Sequence, residues 1–71
     1  MTNYIELNTF VKLKGFATTG GNAKIFIRDG NVKVNGEIET RNKKKLLSGD
    51  IINISEKEFT ISEDLCKMHK D

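Results

Sequence analysis

Residues 18–36 read TTGGNAKIFIRDGNVKVNG, and the punctuation of this stretch decides the fold. Thr18 and Thr19 stand before Gly20 and Gly21, and either hydroxyl can cap a helix by accepting from a free N–H in its first turn. Ala23, Phe26, Ile27 and Gly30 fall on one side of a helical period, while Asn22, Lys24, Arg28 and Asp29 fall on the other. Ile25 breaks the pattern: it is either an exposed apolar residue on a functional face or is covered in part by a neighbouring helix. Gly30 suits the left-handed position after a helix. Val32 and Val34 alternate with Lys33, which puts the valines inward on a strand and the lysine outward. Asn35-Gly36 is the strongest short hairpin signal a sequence offers.

Working outward, Leu7, Phe10, Val11 and Leu13 recur at near-helical spacing and predict a short first helix. Asn8 or Thr9 lies near its start and Gly15 at its end. Lys12 and Lys14 fall mostly off its apolar face. A helix of about two turns is unstable alone and must pack on something. Tyr4 and Ile5 form a lead-in strand or cover the core. Phe16-Ala17 links the two helices. Beyond the hairpin turn, Glu37-Ile38-Glu39 alternates in the opposite sense, with the isoleucine between two acids, and fits a return strand. Thr40–Lys45 is a polar, basic loop or irregular edge, and Leu46-Leu47 returns to the core. Ser48-Gly49-Asp50 is a turn, Ile51–Ile54 a strand rich in β-branched residues, and Ser55–Glu58 a turn before Phe59-Thr60-Ile61. Residues 1–61 thus form one domain, followed by an acidic, polar tail over 62–71. That tail is either a helical turn or two, capped by Ser62 with Leu65 and Met68 on one face, or disordered.

The chain has 71 residues, room for one domain. A domain this small buries only about 60% of the surface its unfolded chain exposes, which disfavours a deep cleft and favours a flat or convex binding face. Cys66 is the single cysteine, so no internal disulfide can form, which points to a reducing compartment. Met1–Leu7 lacks the basic start and apolar run of a signal peptide. The longest apolar run, Ile25-Phe26-Ile27, is far too short to span a membrane. The expectation is a soluble, cytoplasmic monomer. Residues 9–49 carry nine basic and three acidic side chains, a net of +6, whereas residues 50–71 carry a net of −3. This asymmetry fits either a face for a polyanion or a solvated surface without a partner.

The ordered set of a short helix, Gly20-Gly21-Asn22-Ala23-Lys24, Val32-Lys33-Val34-Asn35-Gly36, a basic segment and Gly49-Asp50 resembles the S4 RNA-binding domain. It is most similar to the small stand-alone bacterial group in which the module is nearly the whole protein. The resemblance runs from about Leu7 to Ile54. It implies an α+β fold of two short packed helices followed by a small, mostly antiparallel sheet, with RNA against the helices and the nearby basic loops. Many S4 domains place an arginine at the second helix start. Gly20 occupies that position here, which shifts weight to backbone N–H groups and Lys24. The catalytic domains to which S4 modules are often joined are not represented in this sequence.

Candidate RNA-binding residues follow from charge and spacing read with that resemblance. Thr19, Gly20, Gly21 and Asn22 lie at a helix N-terminus, where free N–H groups and the helix dipole favour a phosphate; Lys24 and Arg28 add charge along the same helix. The plainer reading is that the glycines only serve a tight entry between two helices. Arg41, Lys43, Lys44 and Lys45 form the densest positive cluster, suited to several phosphates or to keeping a sheet edge from pairing. Lys12, Lys14 and Lys33 extend the surface or are ordinary solvated lysines. Asn35 and Asp50 read as turn residues. Phe10, Phe16, Phe26 and Phe59 occupy core-like positions, so the expected mode is shape and phosphate recognition of structured RNA rather than base stacking. His69 and Cys66 lack the further ligands of a metal site, and no acid/base pair or activated nucleophile is evident. The expectation is a non-catalytic binder of structured RNA, plausibly ribosomal RNA or a ribosomal particle, with no cofactor. The alternative is a protein-interaction adaptor that uses Ile25 and the acidic end.

Overall fold

The computed structural model describes residues 3–67. Met68 and His69 lie outside this range, so the shared face of Leu65 and Met68 and the reading of His69 concern residues beyond it.

The chain opens with β1 (Ile5–Glu6), which runs directly into helix α1 (Leu7–Leu13). Neither Asn8 nor Thr9 is the N-cap. That position falls to Glu6, whose side chain makes no capping bond. Two free N–H groups of the first turn are met from elsewhere in the chain, Leu7 N donating to Lys44 O at 2.9 Å and Asn8 N to Asn42 O at 2.8 Å, while Thr9 N donates to Asn8 Oδ1 at 2.8 Å. Main-chain carbonyls of the basic loop therefore do the work of a cap, and the loop is tied to the start of α1. At the other end Gly15 takes φ +82. Phe16 N bonds Val11 O and Gly15 N bonds Lys12 O, both at 3.0 Å, a Schellman closure that turns the chain towards the second helix.

Helix α2 (Gly20–Arg28) starts at Thr19, whose Oγ1 accepts from Asn22 N at 3.1 Å. Its Ala23 and Ile27 are fully buried and Phe26 packs partly against them, as the helical period predicts. Phe16 stacks on Phe26 at 5.9 Å and meets Phe59 edge-on at 6.0 Å, which locks the interhelix link to the sheet.

The main sheet has the order β3-β2-β5-β6, with β2 (Val32–Val34), β3 (Glu37–Ile38), β5 (Ile51–Ile54) and β6 (Lys57–Thr60), and every pairing is antiparallel. Val32 faces Ile54 and Val34 faces Ile52 across the β2–β5 pair, and all four are buried. Asn35 and Gly36 take φ 52 and 86, the paired left-handed geometry of a tight hairpin. A second, two-stranded sheet pairs β1 with β4 (Lys45–Leu46), setting Ile5 opposite Leu46. From the sequence Lys45 belongs to the basic loop; in the structure it pairs with Glu6. Two residues give no period, and the pairing becomes visible only through β1, some forty residues earlier.

Three further details differ from expectation. Leu47 is 42% exposed and does not join Leu46 in the core, because successive side chains of an extended segment point to opposite faces. Ile38 is 61% exposed, leaving the short return strand without a buried residue. The turn after β5 is confined to Ser55 and Glu56, at φ 51 and 67, and β6 already begins at Lys57. Helix α3 (Glu63–Lys67) follows, with Leu65 N donating to Ser62 Oγ at 3.3 Å. Cys66 is buried in the core and its Sγ approaches Leu46 O at 3.7 Å.

Candidate nucleic-acid interface

The basic loop between β3 and β4 leans over α2. Between them lies an open groove of about 640 Å³, lined by Lys24 and Arg28 from the helix and by Thr40, Arg41, Asn42, Lys43, Lys44 and Lys45 from the loop. Six of these side chains are cationic and none is acidic. Lys24 and Arg28 are four residues apart and so share a helix face. Two causes hold the loop opposite that face. One is the pair of bonds from α1 to Asn42 O and Lys44 O; the other is the pairing of Lys45 and Leu46 with β1. Lys45 also sets its Nζ over the half-buried Tyr4 ring, 5.0 Å from the centroid.

Arg41 is held by Glu39. Its backbone N and its Nε each donate to Glu39 Oε2 at 3.0 Å, and its Nη2 donates to Oε1 at 3.3 Å. The guanidinium remains exposed while the carboxylate is half-buried. The hydrogen bonds from Arg41 hold the Glu39 carboxyl below its ordinary pKa, and Glu39 in turn raises that of Arg41.

The remaining sequence candidates are distributed more widely. Thr19 and Asn22 are engaged in the cap of α2: Asn22 N bonds Thr19 Oγ1, and Asn22 Nδ2 bonds Thr18 Oγ1 at 3.3 Å. Gly20 and Gly21 are exposed beside them, one turn before Lys24. A Cβ on Gly20 would meet nothing within 4 Å, and one on Gly21 only Thr19 Oγ1 at 4.0 Å. Neither glycine takes a left-handed φ. The fold therefore makes no packing or conformational demand for glycine at either position. Lys14 leaves the groove and places Nζ 5.3 Å from the Phe59 centroid and 5.8 Å from that of Phe10. Lys12 is exposed on α1, outside the groove lining. Lys33 lies on a separate hollow with Asn53, Ser55 and Glu56.

Asn35 and Asp50 are structural. Asp50 Oδ2 accepts from Leu47 N at 2.8 Å and Oδ1 from Asn35 Nδ2 at 3.3 Å, while Asn35 Oδ1 accepts from Ile51 N at 3.0 Å. The hairpin turn and the β4–β5 turn are thus bonded to each other. Sequence reasoning did not single out Thr40 and Asn42, which join the groove lining. Their only signal was membership of the loop. Among the described residues no group of three His, Cys, Asp or Glu side chains could hold a metal ion, and no helix is long and apolar enough to cross a membrane.

The geometry agrees with comparison to known proteins. A family profile described as S4 domain matches residues 1–62. The chain belongs to the S4 domain family. It is 38% identical over 52 residues to YbcJ of Escherichia coli (strain K12), a protein named for RNA binding, with 73% of this chain and 74% of that protein covered. It is 40% identical over 53 residues to RlbA of Bacillus subtilis (strain 168), named for ribosome maturation, with 75% of each covered. The solution structure of E. coli YbcJ, described as carrying an alfaL motif involved in RNA binding, matches at a TM-score of 0.59 and 32% identity. That match covers 87% of this chain and 77% of the other. The α+β arrangement inferred from the sequence is therefore the S4 fold.

Proposed function

We propose that this S4 domain binds structured RNA without catalysing a reaction, recognising phosphates and shape, and that its target is ribosomal RNA or a ribosomal particle. The observation that carries the reading is the groove between α2 and the basic loop, with six cations and no acidic side chain in its lining. Such a lining exchanges bound counterions for phosphates, and the resulting affinity depends steeply on salt. The names of the relatives point the same way, one to RNA and one to ribosome maturation. The exposed starting glycines of α2 add main-chain donors that a phosphate can approach without steric obstruction. The site requires no cofactor.

The test is crosslinking in cells followed by sequencing of the attached RNA, for the natural protein and for a variant with Lys43, Lys44 and Lys45 reversed to Glu. Enrichment of ribosomal RNA that disappears in the variant is expected. Equal recovery by both proteins would contradict the proposed surface. A protein adaptor is the second reading, favoured by Ile25, which is 62% exposed beside Arg28 and Asp29. It predicts that Ile25→Ser, and not the lysine reversals, removes the partner.

A further inference from the structure

Arg41 and Lys45 line the same groove, and the fold restrains them by different means. Arg41 is clasped by the Glu39 carboxylate, which offsets part of its charge. Lys45 is set over the Tyr4 ring, its Nζ 5.0 Å from the centroid. An aromatic ring attracts a cation through its quadrupole and carries no net charge, so the ammonium keeps its full charge for an anion. Glu6 stands opposite Lys45 in the strand register, yet among the described residues no ion pair joins the two.

The alternation of the short β1–β4 pair puts the ring there. Ile5 faces Leu46 across the pair, and both are buried. Successive side chains of an extended segment point to opposite faces, so their neighbours Tyr4 and Lys45 both turn away from the core. Tyr4 lies two residues before Glu6, the direct partner of Lys45, which makes it a diagonal neighbour across the pair. Aromatic and long side chains bridge that separation. Tyr4 is half-buried and lies outside the groove lining, whereas Lys45 is exposed and belongs to it. A half-buried ring thus supports an ammonium at the edge of a groove that the ring itself does not line.

We propose that Tyr4 is a positioning residue of the RNA interface: its ring holds the Lys45 ammonium at the groove, and the contact persists when a phosphate binds the other side of the ammonium. The inference rests on the RNA-binding reading and adds to it a residue that neither charge nor the groove lining marks. An ammonium has three donors, and a ring face takes up one side of it, which leaves donors for phosphate oxygens. A lysine on its flexible four-carbon stem otherwise loses side-chain freedom when a ligand fixes it. The ring imposes much of that loss during folding, so less of it opposes the RNA.

The test is a double-mutant cycle read by filter binding of fragmented, end-labelled ribosomal RNA at low salt. It compares the natural protein with Tyr4→Leu, Tyr4→Phe, Lys45→Gln and the double variant Tyr4→Leu, Lys45→Gln. Tyr4→Leu is expected to weaken binding about two- to fivefold, the scale of an exposed cation–ring contact. Tyr4→Phe keeps the ring and is expected to bind like the natural protein. With Lys45→Gln in place, Tyr4→Leu should have no further effect. The salt slope should be unchanged in Tyr4→Leu, which removes no charge, and shallower by about one in Lys45→Gln. Proton NMR of the natural protein should show the Lys45 Cε protons shifted upfield by the ring, both free and with RNA bound. This arm is read without any substitution and stands whether or not Tyr4→Leu folds. A Tyr4→Leu loss of the same size in the Lys45→Gln background, or no loss at all, would overturn the inference and leave the RNA reading standing. Disappearance of the upfield shift in the RNA complex would also overturn it, since the ammonium would then leave the ring to bind. Failure of the natural protein to bind the RNA would remove the RNA reading and this inference together.

Discussion

Glu39 and Arg41 are two residues apart, and the carboxylate takes three bonds from the arginine: from its backbone N, from Nε and from Nη2. The clasp occupies one edge of the guanidinium. It leaves both Nη1 hydrogens and the outer Nη2 hydrogen free on an exposed side chain, and one from each nitrogen suits two phosphate oxygens.

Two opposed effects on RNA follow from Glu39, and their signs differ. As a negative charge beside a cationic groove, it repels phosphate. As the holder of Arg41, it reduces the orientational freedom the arginine loses on binding. Orientation is expected to dominate, so Glu39→Ala weakens RNA binding roughly three- to tenfold even though it raises the net charge by one. Anisotropy titration of the variant decides the matter. Tighter binding would mean that Glu39 acts only as a repelling charge.

The same pair makes a pH-dependent contribution to folding. The carboxyl pKa of Glu39 is lower in the folded protein, first because of the hydrogen bonds from Arg41. Its contribution to stability is therefore complete above the unfolded carboxyl pKa, and it is lost as pH falls through the lowered folded value. Thermal midpoints of the natural protein and Glu39→Gln should differ at neutral pH and converge in acid. A gap that persists at the lowest pH would have some other origin.

Gly20 and Gly21 separate a structural role from a binding role. Glycine in a helix is about 0.5–1 kcal/mol less favourable than alanine, and neither position offers a steric reason for it. Gly20→Ala and Gly21→Ala are therefore expected to raise stability by up to about that amount, while reducing RNA affinity by crowding the approach to the helix start. Chemical denaturation and RNA titration read the two effects independently. Unchanged RNA affinity in both variants would mean that no phosphate lies against this backbone.

The turn at Ser55 and Glu56 uses left-handed geometry without glycine or asparagine. Left-handed backbone costs an ordinary side chain on the order of 1 kcal/mol. Glu56→Gly should consequently raise the unfolding free energy by roughly 1 kcal/mol or somewhat less, since glycine also gains freedom in the unfolded chain. Lower stability would show that the Glu56 side chain makes a compensating interaction.

What the sequence made legible was local. The helical faces of α1 and α2, the threonine cap of α2 (Thr19, of the two threonines offered), the left-handed Gly30 and the Asn35-Gly36 turn each depend on residues within about one turn of one another, and each stands where the local pattern puts it. What escaped was set by contacts far along the chain. The bonds from Leu7 and Asn8 to the loop carbonyls span more than thirty residues and leave no mark on residue type, because any amino acid presents a main-chain carbonyl. The β1–β4 pair is too short to show a period. The site follows the same division. The Lys43–Lys45 cluster was plain from composition, whereas its position opposite Lys24 and Arg28 depends on those distant bonds. Lys14 sets its Nζ over the Phe10 and Phe59 rings; the helical spacing already places Phe10 beside it, whereas the contact with Phe59 comes from far along the chain.

The most direct test of the central claim is RNA affinity across a salt series, for the natural protein and for Lys24→Glu. If the six cations of the groove each neutralise a phosphate, the logarithm of affinity should fall against the logarithm of salt with a slope between about −4 and −5.5. Lys24→Glu should weaken binding at every salt concentration and make the slope shallower by about one. Affinity that is indifferent to salt, or a Lys24→Glu variant that binds as well as the natural protein, would contradict the assignment of this groove to RNA.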